Sequence, residues 1–131
     1  MNKSQISLLL AIKIASTLQK ERLQIPLKKV SIPFLITLYK HGIIQNFLKL
    51  GVSSNEKEPK CLIYLRYFFN KSIVKNLKIL SKPSLYLHLR FTDICLLHDR
   101  KHTLFISTSK GILTNFECKI KKIGGIALFK C

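Results

Sequence analysis

Leu104-Phe105-Ile106-Ser107-Thr108-Ser109-Lys110-Gly111-Ile112-Leu113-Thr114-Asn115-Phe116-Glu117 changes character twice within a short distance. The apolar run Leu104-Phe105-Ile106 reads as a strand that delivers Ser107-Thr108-Ser109-Lys110-Gly111 into a strand-to-turn junction. Two serines, a threonine and a lysine beside a glycine make a compact cluster of donors with little bulk. Such a cluster suits phosphate, sugar hydroxyls and base edges, because backbone can come close and hydroxyls bond either way. Thr114-Asn115-Phe116-Glu117 then fits a capping box that opens a short helix. That helix reaches Lys119, Lys121 and Lys122, Gly124-Gly125 is expected to stop it, and a final strand occupies 126–131.

Upstream of this stretch the second half reads mostly as strand. Residues 72–80 alternate imperfectly, Ser81-Lys82-Pro83-Ser84 turns the chain, and 85–90 returns. Thr92-Asp93 is expected to cap a single helical turn through Leu97, and 99–102 forms a basic turn. The first half is more varied. Ile6, Leu9, Leu10, Lys13, Ile14, Thr17 and Leu18 have helical spacing and predict a helix over 4–20, with Leu9, Leu10 and Ile14 on its core face. A short strand over 23–26 ends at Pro26. A second helix starts at Ser31, carries Pro33 in its first turn and stops at Gly42. Strands over 43–50 and 61–68 flank a polar loop over 51–60. The expected class is α+β, an N-terminal α-β-α-β-β domain over 1–70 followed by a mainly antiparallel β domain with short helices over 71–131.

Composition narrows the function. The 131 residues carry a net charge of +17, from 23 Lys+Arg against 6 Asp+Glu, with a hydrophobic fraction of 47%. The chain is apolar enough to fold, and its charge would self-repel without a polyanion to neutralise it. Nucleic acid is the first candidate and an anionic membrane the second. Arginine occurs only at Arg22, Arg66, Arg90 and Arg100. Lysine is a point charge without the fork that reads base edges, so the charge speaks for backbone affinity more than sequence readout. The wealth of Lys, Ile, Asn and Phe fits AT-rich codons, as in an organellar or reduced bacterial genome. Residues 6–15 are interrupted by Lys13 and fall short of the roughly 20 apolar residues of a membrane span, which leaves an amphipathic core helix.

Enzyme chemistry finds little support. Ser107-Thr108-Ser109-Lys110 matches the Ser-x-x-Lys nucleophile motif, but its companions Ser-Asp-Asn and Lys-Thr-Gly are absent. The acidic residues are scattered, and His41, His88, His98 and His102 show no ligand spacing. Cys61, Cys95, Cys118 and Cys131 lie too far apart for a zinc knuckle; a disulfide pair stays open, and reduced, buried thiols are the expectation. Tyr64, Tyr67, Phe68 and Phe69 have the chemistry to stack bases, yet on a strand such rings are more often core. No catalytic residue, metal site or cofactor is expected.

The run from Ile106 to Thr114, followed by Gly124-Gly125 at this distance, resembles the C-terminal signature of the bacterial-type small-subunit ribosomal protein "S-eight" family. The resemblance extends back through Lys82-Pro83, Gly42 and Ile25-Pro26 to about Leu9, nearly the whole chain. It implies a structural protein that binds a helical junction in the central domain of small-subunit ribosomal RNA and helps nucleate assembly. Such proteins recognise a widened minor groove, which suits RNA read by shape and 2′-hydroxyls. Carried onto this chain, Ser107, Thr108, Ser109, Lys110, Gly111, Gly124 and Gly125 would form the main RNA surface. Pro26, Lys28, Lys29, Lys82 and Pro83 would add backbone contacts. The chain departs from the family pattern at Ile126, commonly a glutamate, at His88, usually a tyrosine, and at Ala11, Ile14, Lys28, Ser84 and 100–102.

The implied partners are small-subunit rRNA and neighbouring small-subunit ribosomal proteins, with no membrane and no small-molecule substrate. The expected location is the mitochondrial matrix, on the mitochondrial ribosome, with a plastid or bacterial cytoplasm as the alternative. By the family alignment residue 1 falls just before the first family helix, which leaves no room for a cleavable transit peptide. From other classes, the alternatives are a basic membrane-surface protein using the N-terminal helix and a free RNA chaperone.

Overall fold

Helix α1 (Lys3–Thr17) buries Leu8, Leu9, Ile12, Ala15 and Ser16, a set that recurs with the helical period and defines one face. Leu10 and Ile14 do not share that face, contrary to expectation: they are 45% and 59% exposed. Each residue turns the helix by about 100°, so one step beyond Leu9 already leaves the core side. The helix also ends earlier than its apolar pattern suggested. Gln19 takes a left-handed conformation (φ 52°). Gln19 N then donates to Ser16 O at 3.3 Å and Lys20 N to Ala15 O at 3.0 Å, the paired bonds that close a helix C-terminus.

The structure, a computed structural model, describes residues 3–26, 31–51, 58–97 and 101–131. They divide into two compact units, residues 3–75 and 76–131.

In the first unit, β1 (Arg22–Pro26) leads to α2 (Ser31–Lys40), β2 (Ile44–Leu50) and β3 (Lys60–Leu65), the expected α-β-α-β-β order. The antiparallel sheet runs β1-β3-β2, with Ile25 opposite Cys61 and Leu23 opposite Ile63. Cys61, Ile63 and Leu65 are buried while Lys60, Leu62 and Tyr64 between them are half-buried, so β3 gives one face to the core. Phe34, Leu35 and Leu38 of α2 are fully buried. Gly42 (φ 70°) closes α2, as expected, with Ile43 N donating to Leu38 O at 3.0 Å.

The expected strand over 61–68 is shorter. It breaks at Arg66, and β4 (Tyr67–Phe68) folds back on β5 (Lys71–Ser72) as a hairpin of its own. Phe68 and Phe69, read above as core-facing, are 66% and 85% exposed. A 3₁₀ helix, Ile73–Asn76, interrupts the strand expected over 72–80, helped by Val74 N donating to Ser72 Oγ at 3.2 Å.

In the second unit β6 (Lys78–Ile79), β7 (Leu87–Leu89), α3 (Phe91–Leu96), β8 (Leu104–Thr108), β9 (Gly111–Thr114), α4 (Asn115–Lys121) and β10 (Gly125–Lys130) follow in order. The antiparallel sheet runs β6-β10-β8-β9, and β7 pairs with another part of β10. Buried Ser81 explains how β6 and β7 both reach β10. Its Oγ donates to Ala127 O and accepts from Leu87 N, while Leu80 N and Ser81 N both donate to Leu128 O. The core of this unit holds Ile94, Leu104, Ile106, Leu113, Cys118 and Ala127. Phe105 and Phe129 stack with ring centroids 4.5 Å apart.

Two details of this half correct the sequence reading. Arg90, not Thr92, is the N-cap of α3, and Asp93 accepts from Arg90 N at 2.9 Å. None of the four cysteines is in a disulfide, and Cys95 is exposed rather than buried.

Candidate nucleic-acid interface

The register of β8 and β9 sets Thr108 opposite Gly111, so Ser109 and Lys110 are the two residues of a hairpin tip. Gly111 has φ 105°, a backbone state that favours glycine. Thr108 ties the tip together: its Oγ1 donates to Gly111 O at 2.8 Å and accepts from Lys110 N at 3.2 Å. The Ser107 and Ser109 hydroxyls make no hydrogen bond among the described residues, and Ser109 and Lys110 are exposed. The cluster therefore divides into one hydroxyl that serves the turn and two that are available to a ligand.

Helix α4 follows with the expected capping box. Thr114 is the N-cap, Glu117 Oε2 accepts from Thr114 N at 3.0 Å, and Glu117 N donates to Thr114 Oγ1 at 3.3 Å. The paired glycines do not stop this helix. It closes at Lys122, left-handed at φ 55°, with Ile123 N donating to Cys118 O at 3.1 Å.

Gly124 and Gly125 instead allow close approach. A Cβ on Gly124 would lie 2.6 Å from Leu89 O, and one on Gly125 would collide with the backbone oxygen of Ser107. Their small size brings β10 against both β7 and β8 beside the hairpin.

That approach assembles a surface the sequence reading missed. Ile126 lies opposite His88 on one side and Ser107 on the other, and Ser107 lies opposite Ile112. Residues directly opposite point to the same face, so His88, Ile126, Ser107 and Ile112 form one row across the sheet. Neighbouring Ile106, Leu113 and Ala127 face the core instead. His88 is exposed, and the other three are half-buried. The signal lay in strand pairing between distant segments, which local composition does not carry.

The remaining candidates lie elsewhere. Lys82 and Leu85 form an isolated bridge, bonded N to O in both directions at 3.0 and 3.1 Å, which presents exposed Lys82-Pro83 as a turn between β6 and β7. Pro26 ends β1 in the first unit, opposite Lys60. Lys28 and Lys29 lie outside the described residues, as do Asp99 and Arg100 of the expected basic turn. On α4, Lys119 Nζ donates to Leu97 O at 3.1 Å, while Lys121 and Lys122 are exposed.

The family model for Ribosomal protein S8 matches residues 6–131. The chain belongs to this family. Among curated relatives, the small ribosomal subunit protein uS8m of Acanthamoeba castellanii is 36% identical over 104 residues, 78% of this chain and 77% of that one. The uS8 protein of Aster yellows witches'-broom phytoplasma is 32% identical over 122 residues, 92% of this chain and 90% of that one. That of Baumannia cicadellinicola is 29% identical over 118 residues, 90% and 88% of the two chains. Family membership makes this chain a structural component of the small ribosomal subunit, associated with its RNA, and not an enzyme. The Ser-x-x-Lys match at Ser107 and Lys110 is thus a hairpin coincidence, its lysine at the tip and its serine within β8.

Proposed function

We propose that this chain binds the central domain of small-subunit rRNA in a mitochondrial ribosome and supports subunit assembly through its C-terminal unit. The observation that carries this reading is the pair of hydroxyls at Ser107 and Ser109 that bond nothing among the described residues, set on a hairpin that Gly125 lets approach β10 closely. Small donors on a close-approaching backbone fit a widened RNA minor groove and its 2′-hydroxyls. Thr108, Lys110, Gly111 and Gly124 complete the surface. Lys82-Pro83 in the same unit, and Pro26, Lys28 and Lys29 in the first, add contacts to the RNA backbone. The mitochondrial assignment draws on the lysine- and isoleucine-rich composition and on the similarity to the uS8m protein of Acanthamoeba castellanii. Affinity for a central-domain rRNA fragment, measured with the melting temperature on wild type and Ser109→Ala, tests the site. Lost affinity at unchanged stability supports it, and unchanged affinity overturns it.

One observation favours a second reading. Leu10, Ile14 and Leu18 are exposed at successive four-residue steps, an apolar line along α1 and the turn that follows it that a membrane surface would accept. No helix among the described residues is long and apolar enough to cross a membrane. Flotation of the free protein with anionic vesicles separates the two: competition by rRNA alone favours the ribosomal site, and insertion of α1 favours the membrane.

A further inference from the structure

In the first unit, Tyr67–Phe68 and Lys71–Ser72 pair with Phe68 opposite Lys71, leaving Phe69-Asn70 as a two-residue loop. Both loop residues are left-handed, at φ 47° and 58°, which is the type I′ geometry that tightens hairpins. Asparagine is at home there, but a phenylalanine at positive φ is an outlier. Glycine would relieve it. The strained ring is not tucked away: Phe69 is 85% exposed and Phe68 66%, and the two meet edge to face at 4.5 Å. Tyr67 anchors the hairpin by donating from its hydroxyl to Lys20 O at 2.6 Å. A held hairpin thus presents two aromatic rings to solvent at a cost to its own backbone.

We infer that this hairpin is a second RNA contact, with Phe68 and Phe69 forming a platform on which unpaired bases stack. The inference rests on the reading that the chain binds rRNA and adds a place and a ligand class, single-stranded nucleotides, to it. Charge selects RNA over an apolar protein partner. From Arg66 to Lys75 the chain carries Arg66, Lys71 and Lys75 and no carboxylate. Lys71 stands directly across from Phe68, so a partner covering the rings must also satisfy an exposed ammonium. A nucleotide does both at once, its base on the ring and its phosphate near the lysine. A hydrophobic protein surface would bury Lys71 unpaired.

Phe69→Gly tests this, because the two effects have opposite signs. Relief of the left-handed phenylalanine raises the melting temperature, while affinity for rRNA carrying unpaired nucleotides falls about tenfold, as expected for one lost stack. The salt dependence is unchanged, since the ring bears no charge. Unchanged affinity overturns the inference. Phe69→p-benzoylphenylalanine, assembled into small subunits and irradiated, identifies the neighbour directly. An adduct to rRNA supports the platform; an adduct to a protein, or none, overturns it. Ser109→Ala in the same assay keeps the two sites apart. If Ser109→Ala binds normally and Phe69→Gly does not, the hairpin stands and the 107–111 surface fails; the reverse result removes the platform and leaves the main surface intact.

Discussion

Thr108 commits its hydroxyl to two bonds inside the turn, while the hydroxyl of Ser109 beside it bonds nothing among the described residues. Their substitutions should therefore separate stability from binding. Thr108→Val leaves Gly111 O and Lys110 N without their partner and is expected to cost about 1–2 kcal/mol of stability, read as a lower melting temperature. Ser109→Ala is expected to melt with wild type and to lose about 1–2 kcal/mol of RNA affinity. Gly125 sets a harder limit. An added methyl meets the Ser107 backbone, which cannot swing aside as a side-chain tip would. Gly125→Ala should cost about 1–3 kcal/mol of stability by overpacking and displace Ser107, so binding falls with it. The cysteines give a pH test. Burial raises the Cys61 thiol, with Lys49 opposing, and raises the Cys118 thiol, where Glu117 adds and Lys121 opposes. A raised thiol pKa leaves less reactive thiolate at any given pH. Iodoacetamide near about pH 8, around the usual thiol pKa, should thus label exposed Cys95 first. Cys61 and Cys118 should follow only at higher pH or on unfolding, as peptide mass mapping would show.

Helix α1 shows how far one element can be read before it is folded. Leu9 is fully buried and Ile14 is mostly exposed, although both fit the same apolar periodicity. Leu9→Ala should cost about 2–5 kcal/mol, while Ile14→Ala should stay within about 0.5 kcal/mol, by chemical denaturation of the purified protein. The sequence announces this helix but is apolar on too many sides to say which one faces inward. Its end is hidden for a related reason, since Gln19 and Lys122 do the left-handed work usually given to glycine. Glycine does mark the end of α2 at Gly42, and the Thr114–Glu117 capping box marks the start of α4, because both are local chemistry. The stretch from Tyr67 to Asn76 carried no such mark: Phe69-Asn70 is an unusual type I′ pair, and a 3₁₀ turn has no period of its own to see. The candidate site divides in the same way. The hydroxyls, lysine and glycine of 107–111 sit together in the chain and could be read there. The row of His88, Ile126, Ser107 and Ile112 exists only once three strand registers are set.

Over the whole molecule, +17 of charge carried almost entirely by lysine is a statement about how affinity is built. Lysine ammonium groups neutralise phosphates without reading bases, so charge supplies strength and on-rate. On the proposed reading, shape and hydroxyl contacts at the C-terminal hairpin supply placement. If roughly 5 to 8 phosphates of a duplex-like rRNA site are neutralised, the log–log slope of affinity against salt should lie between about −4.5 and −7. Filter binding over a series of salt concentrations measures it. Three variants partition the result. Lys110→Ala, at the hairpin tip, should shallow the slope by about 0.9, one phosphate's worth. Ser109→Ala and Phe69→Gly should each lower affinity by a constant factor at every salt concentration, leaving the slope alone, because neither removes a charge. A slope near zero for wild type would assign affinity to the uncharged contacts and leave the lysine excess without its role. A steep slope that Lys110→Ala leaves untouched would move the phosphate contacts away from the tip, toward Lys82 or the exposed Lys121 and Lys122 at the C-terminal end of α4.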